Sequence, residues 1–214
     1  MTEIVTSSDP AALTLAADAL RRGEVIAIPT ETVYGLVVLP LAAAVERLVA
    51  AKQRSPDKGV QLLVDSIEQA AALTVLPAAA EQLARAFWPG GLTLVLDRRP
   101  DVDLPPLLSG GRATLGVRLP DHALPRSLAR LLGPLAASSA NVTGRPPATT
   151  AQMVIESLAD VVSLVIDDGP VRGGVASTVV DCSGPAAGAP IVLREGAIAT
   201  NSIYAALGQE YTAT

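Results

Sequence analysis

Four short polar stretches interrupt an otherwise apolar chain, and each carries groups able to hold a small charged ligand. Residues 29–36, PTETVYGL, place the hydroxyls of Thr30 and Thr32, the carboxylate of Glu31 and the phenol of Tyr34 within five residues. That set offers donors and acceptors to a polar ligand, and it equally suits a strand-exit turn with a capping hydroxyl. Residues 52–59, KQRSPDKG, hold both lysines of the chain, Lys52 and Lys58, around Arg54. Such a cluster suits phosphate, because a guanidinium binds it bidentately and an ammonium acts as a point charge. Cations at a helix end also answer the helix dipole, which accounts for Lys52 and Arg54 but not for Lys58. Residues 137–146, ASSANVTGRP, form a hydroxyl-rich turn after an apolar run, able either to present donors to an anion or to close on itself. The fourth set is spread along the chain: Thr114 and Arg118 in one apolar run, Ser177 and Thr178 opening another, Arg194 ending a third. A guanidinium within an apolar strand is costly to bury alone, so Arg118 is expected to face a carboxylate of the protein or of a ligand. Arg194 also suits a surface position.

Other chemistries find little support. One histidine and one cysteine cannot build a histidine- or thiolate-rich zinc site. The Gly-x-x-x-x-Gly-Lys phosphate loop and the Gly-x-Ser-x-Gly nucleophile elbow are both missing. A Ser-His-Asp triad would have to use His122, whose neighbours RLPDH (118–122) suit a helix start better.

The elements that must hold these groups follow from periodicity. Asp9 and Pro10 suit the cap and first turn of a helix, Leu13, Ala16, Ala17 and Leu20 form its apolar stripe, and Gly23 suits its end. A buried strand over 25–28 follows, stopped by Pro29. The pattern then predicts helix 41–53, strand 60–64, helices 67–73 and 77–87, and strands 92–96 and 114–119 across a Pro/Gly-rich loop. Helix 123–132, strand 134–137, helix 150–158 and strands 161–166, 177–181 and 191–193 come next, before a closing helix 200–207 capped by Thr200. Alternating strands and helices predict an α/β fold with a mixed sheet, and ligands of open sheets bind at strand ends. With no repeat and no low-complexity linker, one domain over 1–214 is expected.

Composition narrows the class. Half of the 214 residues are apolar, enough for a continuous core, but aromatics make up only 2%, so Ala, Val and Leu must fill it. A net charge of −5 argues against a whole-surface nucleic-acid binder, which needs a basic face. The single Cys182 excludes an internal disulfide and suits a small buried strand residue in a reducing compartment. Neither a signal peptide nor an apolar run of membrane-spanning length is visible, so a cytoplasmic protein is expected.

Taken in order, PTETVYGL (29–36), KQRSPDKG (52–59), FWPGGLTLVL (87–96), TLGVRLPDH (114–122), SSANVTGRPP (138–147), STVVD (177–181) and LREG (193–196) resemble the YrdC-like family of threonylcarbamoyl-AMP synthases, over about residues 24–196. The resemblance implies a single YrdC-like domain with a twisted mixed parallel/antiparallel sheet, flanked by helices around a central ligand cleft. It implies that ATP, L-threonine and bicarbonate give threonylcarbamoyl-adenylate and pyrophosphate. A downstream tRNA threonylcarbamoyl transferase would use the product on the adenosine beside the anticodon. By position, Thr32, Arg118, the backbone of Ala137 and Ser177 would hold L-threonine. Arg54, Lys58, Thr114, Ser139 and Arg194 would hold ATP, and Lys52, Arg54, Ser139 and Asn141 match the family's reaction centre. Mg2+ is expected to arrive with ATP, without an assignable protein ligand. Such chemistry positions and neutralises, so no covalent nucleophile is required.

Departures from the family pattern are specific. Leu63 stands where many members carry a threonine-contacting histidine, Val37 follows PTETVYGL where glycine is usual, and Pro147 replaces a hydroxyl found near ATP in some relatives. The extra C-terminal domain of longer members is not expected, because the chain ends soon after LREG. Two other readings remain: a YciO-like module that binds nucleotide, tRNA or double-stranded RNA without synthase activity, and carbamoyl transfer as in hydrogenase-maturation proteins. The latter ranks last, since the accompanying zinc-finger and acylphosphatase segments are missing.

Overall fold

The computed structural model describes residues 2–209. Along the chain run β1 (Glu3–Thr6), α1 (Ala12–Arg21), β2 (Ile26–Ile28), β3 (Gly35–Val38), α2 (Ala42–Ala51), β4 (Gln61–Leu63), α3 (Ile67–Leu73), α4 (Ala78–Phe87) and β5 (Leu92–Asp97). They are followed by α5 (Pro106–Ser109), β6 (Thr114–Arg118), α6 (Ala123–Leu132), β7 (Leu135–Ser139), α7 (Ala151–Leu158), β8 (Leu164–Asp167), β9 (Thr178–Asp181), β10 (Ile191–Arg194) and α8 (Thr200–Ala206). All ten strands join one sheet in the order β1-β8-β2-β3-β7-β4-β6-β5-β9-β10. Parallel pairs (β1 with β8, β8 with β2, β4 with β6, β5 with β9) are interspersed with antiparallel ones, as the mixed α/β expectation required.

Side chains alternate across a strand, so each strand divides its residues between two faces. On β2, Ala27 joins the larger apolar cluster with Leu36 of β3 and with Leu48, Leu83 and Val154 of α2, α4 and α7. Ile26 and Ile28 point the other way, into a cluster with Ala16 and Leu20 of α1 and Leu128 of α6. With so few aromatics, α1 seats on the sheet through small residues: Ala12, Ala16, Ala17 and Ala19 are at most 3% exposed. The same alternation on β6 sends Leu115 and Val117 to the larger cluster, which turns Thr114, Gly116 and Arg118 to the face that α1 and α6 cover elsewhere.

Predicted element ends hold to within about two residues in most cases, and α6 matches at both ends. The strand expected over 161–166 begins at Leu164, and the helix expected over 41–53 stops at Ala51. Strands β1 and β3 and the short α5 were not anticipated. Two caps differ. Asp9 does not cap α1 directly; its Oδ1 accepts from Ala11 N at 2.8 Å in a turn one step earlier, and Ala11 takes the cap position. Thr200 is the first residue of α8 rather than its cap, and its N–H donates to Glu195 Oε2 at 2.8 Å. His122 does start a helix, capping α6 with Nδ1 accepting from Leu124 N at 3.2 Å. Cys182 is buried, and burial first, then the nearby Asp181, pushes its thiol up to about 12.

Candidate active site

Helices α1 and α6 cover the half of their face built on β8, β2, β3 and part of β7. Toward β10 the same face is polar, and it floors a pocket of about 310 Å³. Its lining includes Gln61, Thr93, Thr114, Gly116, Arg118, Ala137, Ser138, Ser139, Ser177 and Arg194, with Arg54, Lys58 and Arg112 arriving from loops. Five lining residues are therefore cations, and none is an aspartate or glutamate. The pocket lies across the strands rather than beyond one set of ends. Ser139 and Arg118 are at the C-terminal ends of β7 and β6, whereas Gln61 and Thr114 begin β4 and β6. A mixed sheet brings both kinds of end to one place.

Arg118 is the most deeply set of these cations, its side chain 3% exposed. The carboxylate expected opposite it is Glu31: Arg118 Nη2 donates to Glu31 Oε1 at 2.7 Å and to Thr32 Oγ1 at 2.9 Å. Arg118 Nε donates to Gly90 O at 3.1 Å. Thr30 Oγ1 lies 2.9 Å from Thr32 Oγ1 and donates to Val33 O at 2.7 Å, which makes Thr32 the donor between the two hydroxyls. The segment 30–32 is braced from behind by Gly173 N and Gly174 N, which donate to Glu31 O and Thr32 O at 3.2 and 2.8 Å. A Cβ on Gly173 would approach Glu31 O to 2.7 Å, so this close backbone contact requires glycine.

The loop after α2 is shaped by a tight helix ending. Gln53 N donates to Ala50 O and Arg54 N to Val49 O, at 2.9 and 3.1 Å, with Gln53 in the left-handed region at φ 49°. This is the six-to-one and five-to-two pattern of a Schellman ending, with glutamine where glycine is usual. Lys52, immediately before it, is 2% exposed, not the solvated helix end that its sequence position also allowed. Its ammonium donates to Ser139 O, to Asn141 O at 2.8 Å and to Asn141 Oδ1 at 3.0 Å. Three protons thus meet three acceptors, one on the last residue of β7 and two in the turn that follows. Ser139 Oγ donates to Asn141 Oδ1 at 2.6 Å, and Asn141 Nδ2 donates to Val142 O and Arg145 O at 3.0 and 2.6 Å. Arg54 in turn holds its own loop, Nε to Lys58 O and Nη2 to Gly59 O, both 2.8 Å.

Electrostatically the pocket is unbalanced toward anions. Burial, then the neighbouring Arg54 charge, pulls Lys52 down to about 8. Burial and Arg194 lower Arg54, with Asp57 opposing, while burial and Arg118 lower Arg194. Lys52, Arg54 and Arg194 are thus each held partly out of water and beside another cation, an arrangement that a multivalent anion would relieve.

Of the site residues expected from sequence, Arg54, Lys58, Thr114, Arg118, Ala137, Ser139, Ser177 and Arg194 line the one pocket. Thr32, Lys52 and Asn141 stand behind it, joined to Arg118 and Ser139 by hydrogen bonds. Sequence reasoning passed over Gln61, Thr93 and Arg112. Thr93 Oγ1 donates to Gln61 Oε1 and lies beside Ser177 Oγ, both at 2.8 Å. The polar residue inside each apolar strand was the available signal for Gln61 and Thr93. Arg112 follows two glycines in a loop, where nothing marked it. Leu63 is buried in the cluster beneath α1 and α6 and does not line the pocket.

A mixed α/β sheet with a cationic pocket on one half of a face is a geometry suited to a small anion. The comparisons narrow it: the Sua5–YciO–YrdC family model, described as telomere recombination, matches residues 18–196, and the chain belongs to that family. A threonylcarbamoyl-AMP synthase of Bacillus subtilis is 39% identical over 97% of this chain, which spans 60% of that protein. A Mycobacterium tuberculosis relative of similar length is 36% identical, with 97% of this chain and 96% of that one covered. The crystal structure of Pyrococcus abyssi Sua5 complexed with L-threonine superposes with a TM-score of 0.88 at 36% identity, covering 98% of this chain and 62% of that one. Among the described residues no helix is long and apolar enough to cross a membrane.

Proposed function

We propose that this chain forms L-threonylcarbamoyl-AMP and pyrophosphate from ATP, L-threonine and bicarbonate, working as one cytoplasmic domain over 1–214. The observation that carries this reading is the convergence of Arg54, Lys58, Arg112, Arg118 and Arg194, from separate segments, on a pocket whose lining has no carboxylate. The name of the Bacillus relative and the threonine complex of the Pyrococcus one support the same substrates.

In this reading the amine of threonine combines with bicarbonate, releasing water and leaving an N-carboxylate. That carboxylate attacks the α-phosphorus of ATP, and the bond to the β-phosphate oxygen breaks as pyrophosphate departs. Arg118, with Thr32, Ala137 and Ser177, holds the amino acid. Arg54, Lys58, Thr114, Ser139 and Arg194 hold the nucleotide and answer the charge that moves onto pyrophosphate. Lys52 acts through Asn141 and Ser139, since its protons are committed to that turn. Magnesium would come as part of the nucleotide substrate, because the lining gives it hydroxyls but no carboxylate. The product would pass to a transferase that modifies tRNA. Cations gathered in a pocket fit a small phosphate better than a nucleic-acid duplex, which needs an exposed basic face.

Pyrophosphate release from ATP, measured with and without L-threonine in bicarbonate buffer, tests the proposal. Release that requires all three substrates is expected; a folded protein that releases none under these conditions contradicts it.

A further inference from the structure

Glu31 is the one acidic partner that Arg118 has among the described residues, and it uses only half of its carboxylate. Oε1 takes the guanidinium, whereas Oε2 is closed off from solvent and has no hydrogen-bond partner. A shielded carboxylate oxygen without a donor is costly, and it is tolerated where a ligand completes it. The lining of the pocket that Arg118 reaches contains no carboxylate, and Glu31 adjoins it through the Arg118 guanidinium. The hydroxyl of Thr32, on the same guanidinium, already donates to Thr30.

We propose that Glu31 anchors the α-ammonium of the amino-acid substrate while Arg118 anchors its carboxylate, so that the pair reads a zwitterion. This rests on the amino-acid reading of the pocket given above and adds a residue and a chemical selectivity to it. An α-amino acid carries its nitrogen on the carbon next to the carboxylate. A ligand carboxylate on Arg118 therefore brings the ammonium beside any acid that flanks the same guanidinium. Glu31 is that acid, and its free oxygen supplies the missing acceptor. The zwitterion adds no net charge, so the balance between Glu31 and Arg118 survives binding. A ligand with the carboxylate but no amine would add an unmatched negative charge next to Glu31 and leave Oε2 unfilled.

The test compares L-threonine with 3-hydroxybutanoate, which is threonine without its amino group, by calorimetry against wild type and Glu31→Gln. The glutamine variant keeps an oxygen for Arg118 and loses the charge, and circular dichroism verifies its fold; Glu31→Asp serves as a second variant that retains the charge. Wild type should prefer threonine by about tenfold or more, the worth of one charge-assisted hydrogen bond. In Glu31→Gln that preference should collapse toward unity, with ATP affinity unchanged, and Glu31→Asp should retain part of it. Equal weakening of both ligands in Glu31→Gln would make Glu31 merely a support for Arg118 and would overturn the proposal. An unchanged preference would overturn it as well, while leaving the amino-acid reading intact. Failure of wild type to bind threonine at all would remove both.

Discussion

One face of one sheet does two different jobs. Under α1 and α6 its floor is Ile26, Ile28, Val37, Leu135, Leu164 and Ile166, all buried and all apolar. Toward β10 the floor is Gln61, Thr93, Thr114, Arg118 and Ser177, beneath a ring of cations. The strands and their two-residue alternation are the same in both halves. What differs is the cover: a helix over the face demands hydrocarbon, and an open half can keep groups that would be too costly to bury fully. Arg118 and Lys52 show the tension at the boundary, since each is a nearly buried charge satisfied by a tight local set of acceptors.

That contrast can be broken from either side. The largest effect is expected on the covered half, where Ile26→Ala removes a fully buried side chain and should cost about 4 kcal/mol of unfolding free energy in urea. Ligand affinity of the remaining folded protein should not change. On the open half, Arg118→Ala strands Glu31 and should cost about 3 kcal/mol, the lower end for a buried pair because Glu31 is 24% exposed. Unlike Ile26→Ala, it should also abolish measurable threonine binding while ATP binding largely persists.

Lys52 provides a pH test. Its pKa falls from 10.5 in the unfolded chain to about 8 in the fold, so between those values the unfolded chain binds the extra proton. Stability contributed by Lys52 therefore rises with pH across that window, and the full cost of burying its charge is felt below about 8. The difference in unfolding free energy between wild type and Lys52→Met, followed by urea denaturation from pH 8 to 10.5, should move toward wild type; a flat difference would mean that Lys52 is not held out of water as the structure has it. The smallest effect concerns Gln53, where Gln53→Gly relieves the left-handed backbone and should stabilise by about 1 kcal/mol, seen as a small rise in Tm.

Much of this architecture is readable from periodicity because most elements have one apolar side. Helix α6 alternates Leu128 and Ala129 with exposed Arg130 and Leu131, and its ends are marked by His122 and Gly133. Strand β3 was hidden because Gly35–Val38 continues directly from a polar motif and is buried on both faces, which leaves no alternation to see. Strand β1 lies at the sheet edge with three of its four residues exposed, so its pairing with β8 decides its conformation rather than its own pattern. At the site, cation clustering and the Arg118 anomaly pointed to residues that the fold brings to one pocket. Their partners did not show, because Glu31 and Arg118 are 87 residues apart, as are Lys52 and Ser139. Distance in the chain also concealed the Gln61–Thr93–Ser177 row, which exists only once β4, β6, β5 and β9 are laid side by side.

The claim that separate cations form one phosphate site is tested most directly by calorimetric titration of ATP into wild type, Arg54→Ala, Arg194→Ala and the double variant. Each single change should weaken ATP by about tenfold, and the double should lose less than the sum, because both arginines would share one phosphate chain. Unchanged ATP affinity in both single variants would contradict the account.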